Sequence, residues 1–345
     1  MVEVKEQLEL GVAYHGNVYL DHARSDFKEI QEHGCNSILL AMSEYDFEQW
    51  RGRYFKMARI AKEEFDFSVY VNFWAWGRIF GGEAPSVFLS NNAEFRQVFS
   101  KTKNPFPAAC FNTKAFQKYI IKAVRKVATV AAVDGFFWDE PHYAYSEENL
   151  LPTNLTPYYV CYCKTCQDLF FEQYQYAMPS TKIADVILFK EQRLLGFLQN
   201  LCQMVKSVDS HKKNIICVMP SHVPTGMSNW DLACFESMDV LATDPYWMLF
   251  QKDLQWVQEE SKKLVTTAKK HKKGSQLWVL AFRIPKGREV EIPKAVEIFH
   301  QSGADSIFAW LYRGGLQTFV KSDDPALVWE TVGAAFKRLR ESKII

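Results

Sequence analysis

Short runs of consecutive apolar residues alternate along this chain with longer stretches in which apolar residues recur every third or fourth position. Uninterrupted apolar runs suit strands buried on both faces, and the 3.6-residue period is that of amphipathic helices. Eight runs read as strands: Leu8–Gly16, Ser37–Glu44, Ser68–Trp76, Gly135–Glu140, Asn214–Ser221, Val240–Tyr246, Gln276–Arg283 and Ser306–Tyr312. Between and after them the periodic segments Ala23–Glu32, Gln49–Phe65, Thr113–Val130, Lys190–Val208, Asp253–His271, Pro293–Gln301 and Ala326–Arg340 predict helices, with Gly34 and Gly303 as stop signals. Strand–helix alternation repeated about eight times predicts a parallel sheet with crossover helices. In a chain of 345 residues it favours a closed (β/α)8 TIM barrel, one domain spanning 1–345, over an open doubly wound sheet. No Gly-x-Gly-x-x-Gly turn follows the first strand, as a dinucleotide-binding sheet would require.

Two connections are long, 77–112 after the third strand and 142–184 after the fourth. Both follow carboxyl ends of strands, so both are expected over the active face of a barrel. The formal charge of +1 provides no field to attract nucleic acid, and no apolar span of about 20 residues exists to cross a bilayer. Residues 1–10 mix glutamates with a lysine, without an apolar core or a small-residue cleavage site, which predicts a cytoplasmic protein. The basic stretch Lys262–Lys273 reads as a solvated helix end.

The candidate chemistry concentrates where apolar runs stop. Gly135-Phe136-Phe137-Trp138 is followed directly by Asp139-Glu140-Pro141-His142-Tyr143. Carboxylates immediately after so apolar a run are costly to bury unless used, and a barrel strand end is where acid/base groups belong; the alternative is that they only cap the following loop. The sixth strand ends similarly, in Thr243-Asp244-Pro245-Tyr246-Trp247. Glycoside hydrolysis needs two carboxylates, and Glu140 with Asp244 is the leading pair, with Asp139 or Glu289 less favoured partners. An Asp-Pro turn is the structural alternative for Asp244. His15, Glu44, Asn72, Trp74, His142, Tyr143, His222, Tyr246, Trp247, Arg283, Trp310 and Arg313 fall at the predicted strand ends or just beyond. Such a mixture of rings, acids and bases suits sugar binding, because hydroxyls need donors and acceptors while ring C–H faces stack on aromatics. Arg283 or Arg313 could equally pair with Asp139 or Glu44. Trp76, at the end of the third strand, and Arg78 and Glu83, in the first long loop, are further candidates over the mouth.

Eight cysteines in a cytosolic setting point away from structural disulfides. Cys161, Cys163 and Cys166 are too close for comfortable pairing but suited to one soft ion, and Cys110 in the preceding long loop is the expected fourth ligand of a structural zinc. A closed four-sulfur site would brace loops rather than do chemistry. Cys35, Cys202, Cys217 and Cys234 read as buried thiols.

An isolated loop cysteine, a Glu at the end of strand four and Cys161-x-Cys163-x-x-Cys166 leading into Gln167-Asp168-Leu169-Phe170 together resemble the glycoside hydrolase family 42 β-galactosidases. More distantly, the barrel glycosidases of that clan carry Asn-Glu-Pro where this chain has Asp139-Glu140-Pro141. The resemblance covers mainly 105–170 and the barrel framework. It implies zinc on Cys110, Cys161, Cys163 and Cys166, and Glu140 as acid/base. It breaks at strand seven, where the clan places its nucleophilic Glu and this chain reads Phe282-Arg283-Ile284-Pro285, with Glu289 and Glu291 further on. Neither the second carboxylate nor the galactoside specificity carries over.

The sequence therefore predicts a glycoside hydrolase in which Glu140 protonates the leaving oxygen. A non-catalytic carbohydrate-binding barrel, or a barrel lyase, isomerase or metal-assisted hydrolase using His15, His142 and His222, are the alternatives, although no His-x-His or His-Glu-x-x-His spacing is present. The expected partner is a small-molecule carbohydrate, without organic cofactor, nucleic acid or membrane; assembly into a homo-oligomer is left open.

Overall fold

The structure, a computed structural model, describes residues 8–145, 157–221, 229–316 and 318–341. Ten strands are numbered in chain order: β1 (Glu9–Tyr14), β2 (Ser37–Ala41), β3 (Ser68–Asn72), β4 (Arg96–Val98), β5 (Pro105–Ala109), β6 (Gly135–Trp138), β7 (Lys213–Val218), β8 (Val240–Thr243), β9 (Gly274–Leu280) and β10 (Ser306–Trp310). Eight close a parallel barrel in the order β1-β10-β9-β8-β7-β6-β3-β2, and β4 and β5 form a separate antiparallel pair in the long connection after β3. The helices are α1 (Leu20–Glu32), α2 (Glu44–Phe65), α3 (Val87–Asn91), α4 (Lys114–Val130), α5 (Lys164–Tyr174), α6 (Ala184–Val208), α7 (Trp230–Ala233), α8 (Leu254–Lys270), α9 (Ile292–Gln301) and α10 (Pro325–Glu341). Among the described residues, no helix is long and apolar enough to cross a membrane.

All eight predicted barrel strands are present, and each stops two to four residues earlier than its apolar run. The run continues because the mouth is itself lined by buried side chains, so hydrophobicity does not mark where the ladder ends. The hairpin β4–β5 escaped prediction because Pro105-Phe106-Pro107 does not read as a strand; it pairs only at an edge, where proline is tolerated.

Side chains fill the barrel. Trp278 stands with its ring 5.0 Å from those of both Phe137 and Phe308, and Tyr70 closes on Phe308 at 6.1 Å. Gly11 makes room for this layer, since a Cβ there would lie 2.3 Å from the Phe308 ring. Polar groups inside are paired: Gln276 accepts from the Trp278 indole (2.9 Å), and Glu9 at the amino end accepts from Ser37 Oγ (2.8 Å) and Tyr70 OH (2.7 Å).

One boundary changes a functional expectation. Ser43 and Asp46 form a capping box, which starts α2 at Glu44 instead of prolonging β2. Glu44 is then the buried first residue of a helix, and its carboxylate accepts from Gly77 N (2.6 Å), Ser86 Oγ (2.8 Å) and Phe88 N (2.6 Å). It braces the long loop after β3 and has no oxygen left for a sugar.

Candidate active site

Three carboxyls meet at the carboxyl end of the barrel. Asp139 and Glu140 leave β6, and Asp244 leaves β8, with β7 between them. Glu140 takes a left-handed backbone (φ 42°) held by its N–H donating to the Cys217 carbonyl oxygen at 3.0 Å. A non-glycine residue rarely adopts that conformation, and such strain collects at functional sites. The turn brings the Glu140 and Asp244 carboxyls into hydrogen-bond contact and leaves Asp139 in the same electrostatic cluster. Asp244 is buried, while Asp139 and Glu140 are partly open to the mouth.

All three hold their protons more tightly than ordinary carboxyls. Burial, then the charge of Glu140, pushes Asp139 up to about 8, opposed by a hydrogen bond from Asn72 Nδ2 (3.0 Å). Burial raises Glu140 despite its bond to Asp244. Asp244 is raised well above the ordinary carboxylate range by burial, then by the charge of Glu140 and its hydrogen bond. A pair in contact shares a proton, because two like charges at that distance cannot both persist in a low dielectric. One protonated and one ionised carboxyl is the state that acid/base work requires.

The surroundings divide the predicted residues. His15 stacks on Trp74 (5.2 Å) and faces Trp310 (6.2 Å), forming an aromatic wall; Trp74 and His15 line a cavity of about 350 Å³ with Ser43, Asp46 and Ser86. A second cavity, about 140 Å³, is lined by Arg78, Gly81, Glu140, His142 and Tyr145. Burial lowers both His15 and His142 to about 4, so both rings are neutral near pH 7. His142 donates from Nδ1 to the Glu140 carbonyl oxygen (2.6 Å) and helps fix that turn. Tyr246 is buried beside Asp244, its hydroxyl within the field of all three acids. A larger groove, about 800 Å³, runs between α2 and α4 outside the barrel and contains none of these residues.

Other predicted contacts lie elsewhere. Tyr143 turns away from the mouth, its hydroxyl on the Lys190 carbonyl oxygen (3.1 Å) and its ring on Phe111. The buried Trp247 donates to Glu291 (2.6 Å). Arg313 is drawn to Glu29 and Asp26 of α1, an acid pair that also takes Tyr14 and Tyr312 hydroxyls. Arg283 is exposed beyond β9. Glu289 accepts from Gly287 N (2.7 Å) in a short turn and does not figure among the charges acting on the cluster. His222 lies outside the described residues.

Sequence reasoning missed Gly81 and Cys217. A Cβ on Gly81 would lie 2.8 Å from Asp139 Oδ2, so only glycine lets the loop lie on that carboxylate. The Gly81-Gly82 pair in an otherwise ordinary loop was the available signal. Cys217, read only as a buried thiol, stands at 3.9 Å from Asp244 Oδ1 on the intervening strand. Glu83 contributes charge to both Asp139 and Glu140.

The four predicted ligand cysteines do converge. The sulfurs of Cys110, Cys161, Cys163 and Cys166 all lie within 4.8 Å of one another, with Cys110 at 3.5 Å from Cys163 and 3.6 Å from Cys166. A tetrahedron with metal–sulfur bonds of about 2.3 Å has edges of roughly 3.8 Å, so the donor set fits a metal ion. Cys110 follows β5, and Cys163 caps α5, whose first turn carries Cys166. Asn112 donates to Cys166 Sγ (3.3 Å) and accepts from Arg193 (3.0 Å), a second layer that orients the sulfur.

No protein-family model matches the chain, and no curated protein matches it in sequence. The solved structures do answer. A β-galactosidase from the haloarchaeon Halorubrum lacusprofundi superposes with a TM-score of 0.72 at 13% identity, over 96% of this chain and 58% of that one. The structural neighbours of this chain include β-galactosidases, mannanases and an α-L-fucosidase, all glycoside hydrolases. The cold-adapted β-galactosidase of Rahnella sp. R3 gives 0.69 at 14% identity over 99% of this chain and 57% of that one. The endo-1,4-β-mannanase of Rhizomucor miehei gives 0.65 at 10% identity over 99% and 97%. This chain thus spans under two thirds of the β-galactosidases and nearly all of the mannanase. At such identities the likeness is one of fold, a (β/α)8 barrel.

Proposed function

We propose that this barrel is a glycoside hydrolase in which Glu140 is the general acid and Asp244 the nucleophile or base. The observation that carries the reading is the contact of Glu140 with Asp244 at the barrel mouth, beside a wall of His15, Trp74 and Trp310. In the free site Asp244 holds the shared proton; its passage to Glu140, at the more open position, leaves Glu140 able to protonate the leaving oxygen and Asp244 ionised to answer the positive charge developing at the anomeric carbon. A pair this close is nearer the roughly 5–5.5 Å spacing of retaining enzymes than the wider spacing of inverting ones, and it parts slightly to admit the sugar, which favours retention of anomeric configuration. Of known families, the cysteine set and Asp139-Glu140-Pro141 favour a relation to family 42, with a divergent seventh strand. The metal is proposed to be structural zinc, held as four thiolates in a reducing, cytoplasmic setting.

The test is reducing-sugar release by wild type and Glu140→Gln over α- and β-linked oligosaccharides and aryl glycosides, with the first-formed anomer read by proton NMR. Expected is release that falls by about two or more orders of magnitude in the variant, with the anomer retained. An undiminished rate in Glu140→Gln removes Glu140 from the chemistry, and no release from any substrate sinks the hydrolase reading in favour of a binding barrel.

A further inference from the structure

The helices of a barrel form an outer ring. In this one α1 meets α2 through Phe27 and Phe65, with rings 5.9 Å apart, and α4 meets α6 through Phe116 and Phe197 at 6.3 Å. Between α2 and α4 the ring is instead parted by the groove of about 800 Å³, which continues past Gly52 and Phe55 into a second hollow of about 400 Å³. Its charge is one-sided. The chain has 41 basic and 40 acidic residues, yet α4 carries five cations and no acid. Lys118, Lys122, Arg125 and Lys126 of α4 line the groove with Arg51 of α2; all are exposed, and none forms an ion pair among the described residues. Glu48, the one acid in the lining, acts on the Tyr119 hydroxyl. Lysines at i, i+4 and i+8 of a helix recur about every 6 Å, and so do carboxylates of the same spacing on a second helix laid alongside. Apolar surface accompanies the charges, from Phe47 and Phe55 of α2 and from Ile121 and Val130 of α4, with Val130 44% exposed. Gly52 lies inside α2, where a Cβ would meet nothing within 4 Å. Glycine weakens a helix relative to alanine, and nothing in this fold requires it there; bare helix backbone suits the close approach of a partner.

We propose that this groove docks an acidic amphipathic helix of a partner protein, its apolar stripe on Phe47, Ile121 and Val130 and its carboxylates, one turn apart, on Lys118, Lys122 and Lys126. Apolar contact supplies the affinity, and the charges select the partner. A bilayer surface is flat and does not enter a groove, and a polynucleotide would match the charges while leaving the apolar surface unfilled.

Fluorescence anisotropy on the full chain tests it, with a labelled helical peptide of about 18 residues that has leucine at i, i+3, i+4 and i+7 spacing and glutamate elsewhere, against the same peptide with lysine for glutamate. The glutamate peptide should bind about tenfold or more tightly, with the preference shrinking as salt is raised. Lys122→Glu combined with Lys126→Glu, both at exposed positions, should weaken its binding about tenfold or more while keeping the circular dichroism of wild type. If that variant does not fold, Lys122→Gln with Lys126→Gln takes its place. Equal binding of the two peptides, or none of either, overturns the proposal, as does a folded double variant that binds the glutamate peptide as tightly as wild type. Tighter capture of an oligothymidylate or of phosphatidylglycerol vesicles than of the glutamate peptide, lost in the same variant, also overturns it and gives the groove to that partner.

Discussion

A buried acid is informative in proportion to how badly it is paired. Asp244 faces Glu140 and a thiol, Asp139 a single amide, and no cation relieves either. Both therefore keep protons that the unfolded chain releases near pH 4. A carboxyl whose folded pKa is raised contributes fully below its unfolded pKa and loses that contribution as pH climbs to the folded value, because the folded state then binds the extra proton. For Asp139 the window runs from about 4 to about 8. Asp244→Asn removes one such group and relieves its neighbours. Melting temperatures across pH 4–8 should show the variant gaining on wild type as pH rises; parallel curves would mean that Asp244 is not held protonated. The gain would come with loss of hydrolysis, since stabilising a strained site ordinarily costs its function.

At the scale of elements, the long connections are where the site is made. The loop after β3 lies on Asp139 through Gly81, and Glu44 at the start of α2 ties that loop down with three hydrogen bonds. The hairpin β4–β5 and helix α5 are joined through the cysteine cluster, which lies between loop and helix. The zinc proposed there would act on loop order. Cys166→Ser should lose bound zinc measured by mass spectrometry of metals, lower the melting temperature and preserve barrel circular dichroism. Zinc content equal to wild type would remove Cys166 from the ligand set, and collapse of all secondary structure would make the cluster essential to the barrel itself.

For the whole molecule, closure of eight strands around an aromatic layer provides the rigid frame that a pair of carboxyls needs. Trp278 is the centre of that layer, touching Phe137 and Phe308 at 5.0 Å and Trp310 at 6.0 Å. Its truncation to alanine leaves a cavity directly beneath the mouth and should cost about 3–5 kcal/mol. Denaturant unfolding measures this, and a loss below about 1 kcal/mol would show that the layer repacks freely.

The order of apolar runs and amphipathic segments was enough to determine the barrel, because a strand covered on both faces and a helix covered on one leave different periods in the chain. Local chemistry also sufficed for the cysteines: three thiols within one turn and a fourth in the neighbouring loop have few arrangements open to them. Asp139, Glu140 and Asp244 were legible as polar residues ending apolar runs. Their contact was not, since it depends on β7 separating β6 from β8 and on a left-handed turn at Glu140. Nor could the sequence separate residues that face the mouth from those that turn to a helix. Glu44, Tyr143, Trp247 and Arg313 have the right types at nearly the right positions, yet capping and packing partners far along the chain claim each of them. Periodicity is written locally and survives in one dimension; which side of a strand end a side chain takes is decided by neighbours that only the closed barrel brings together.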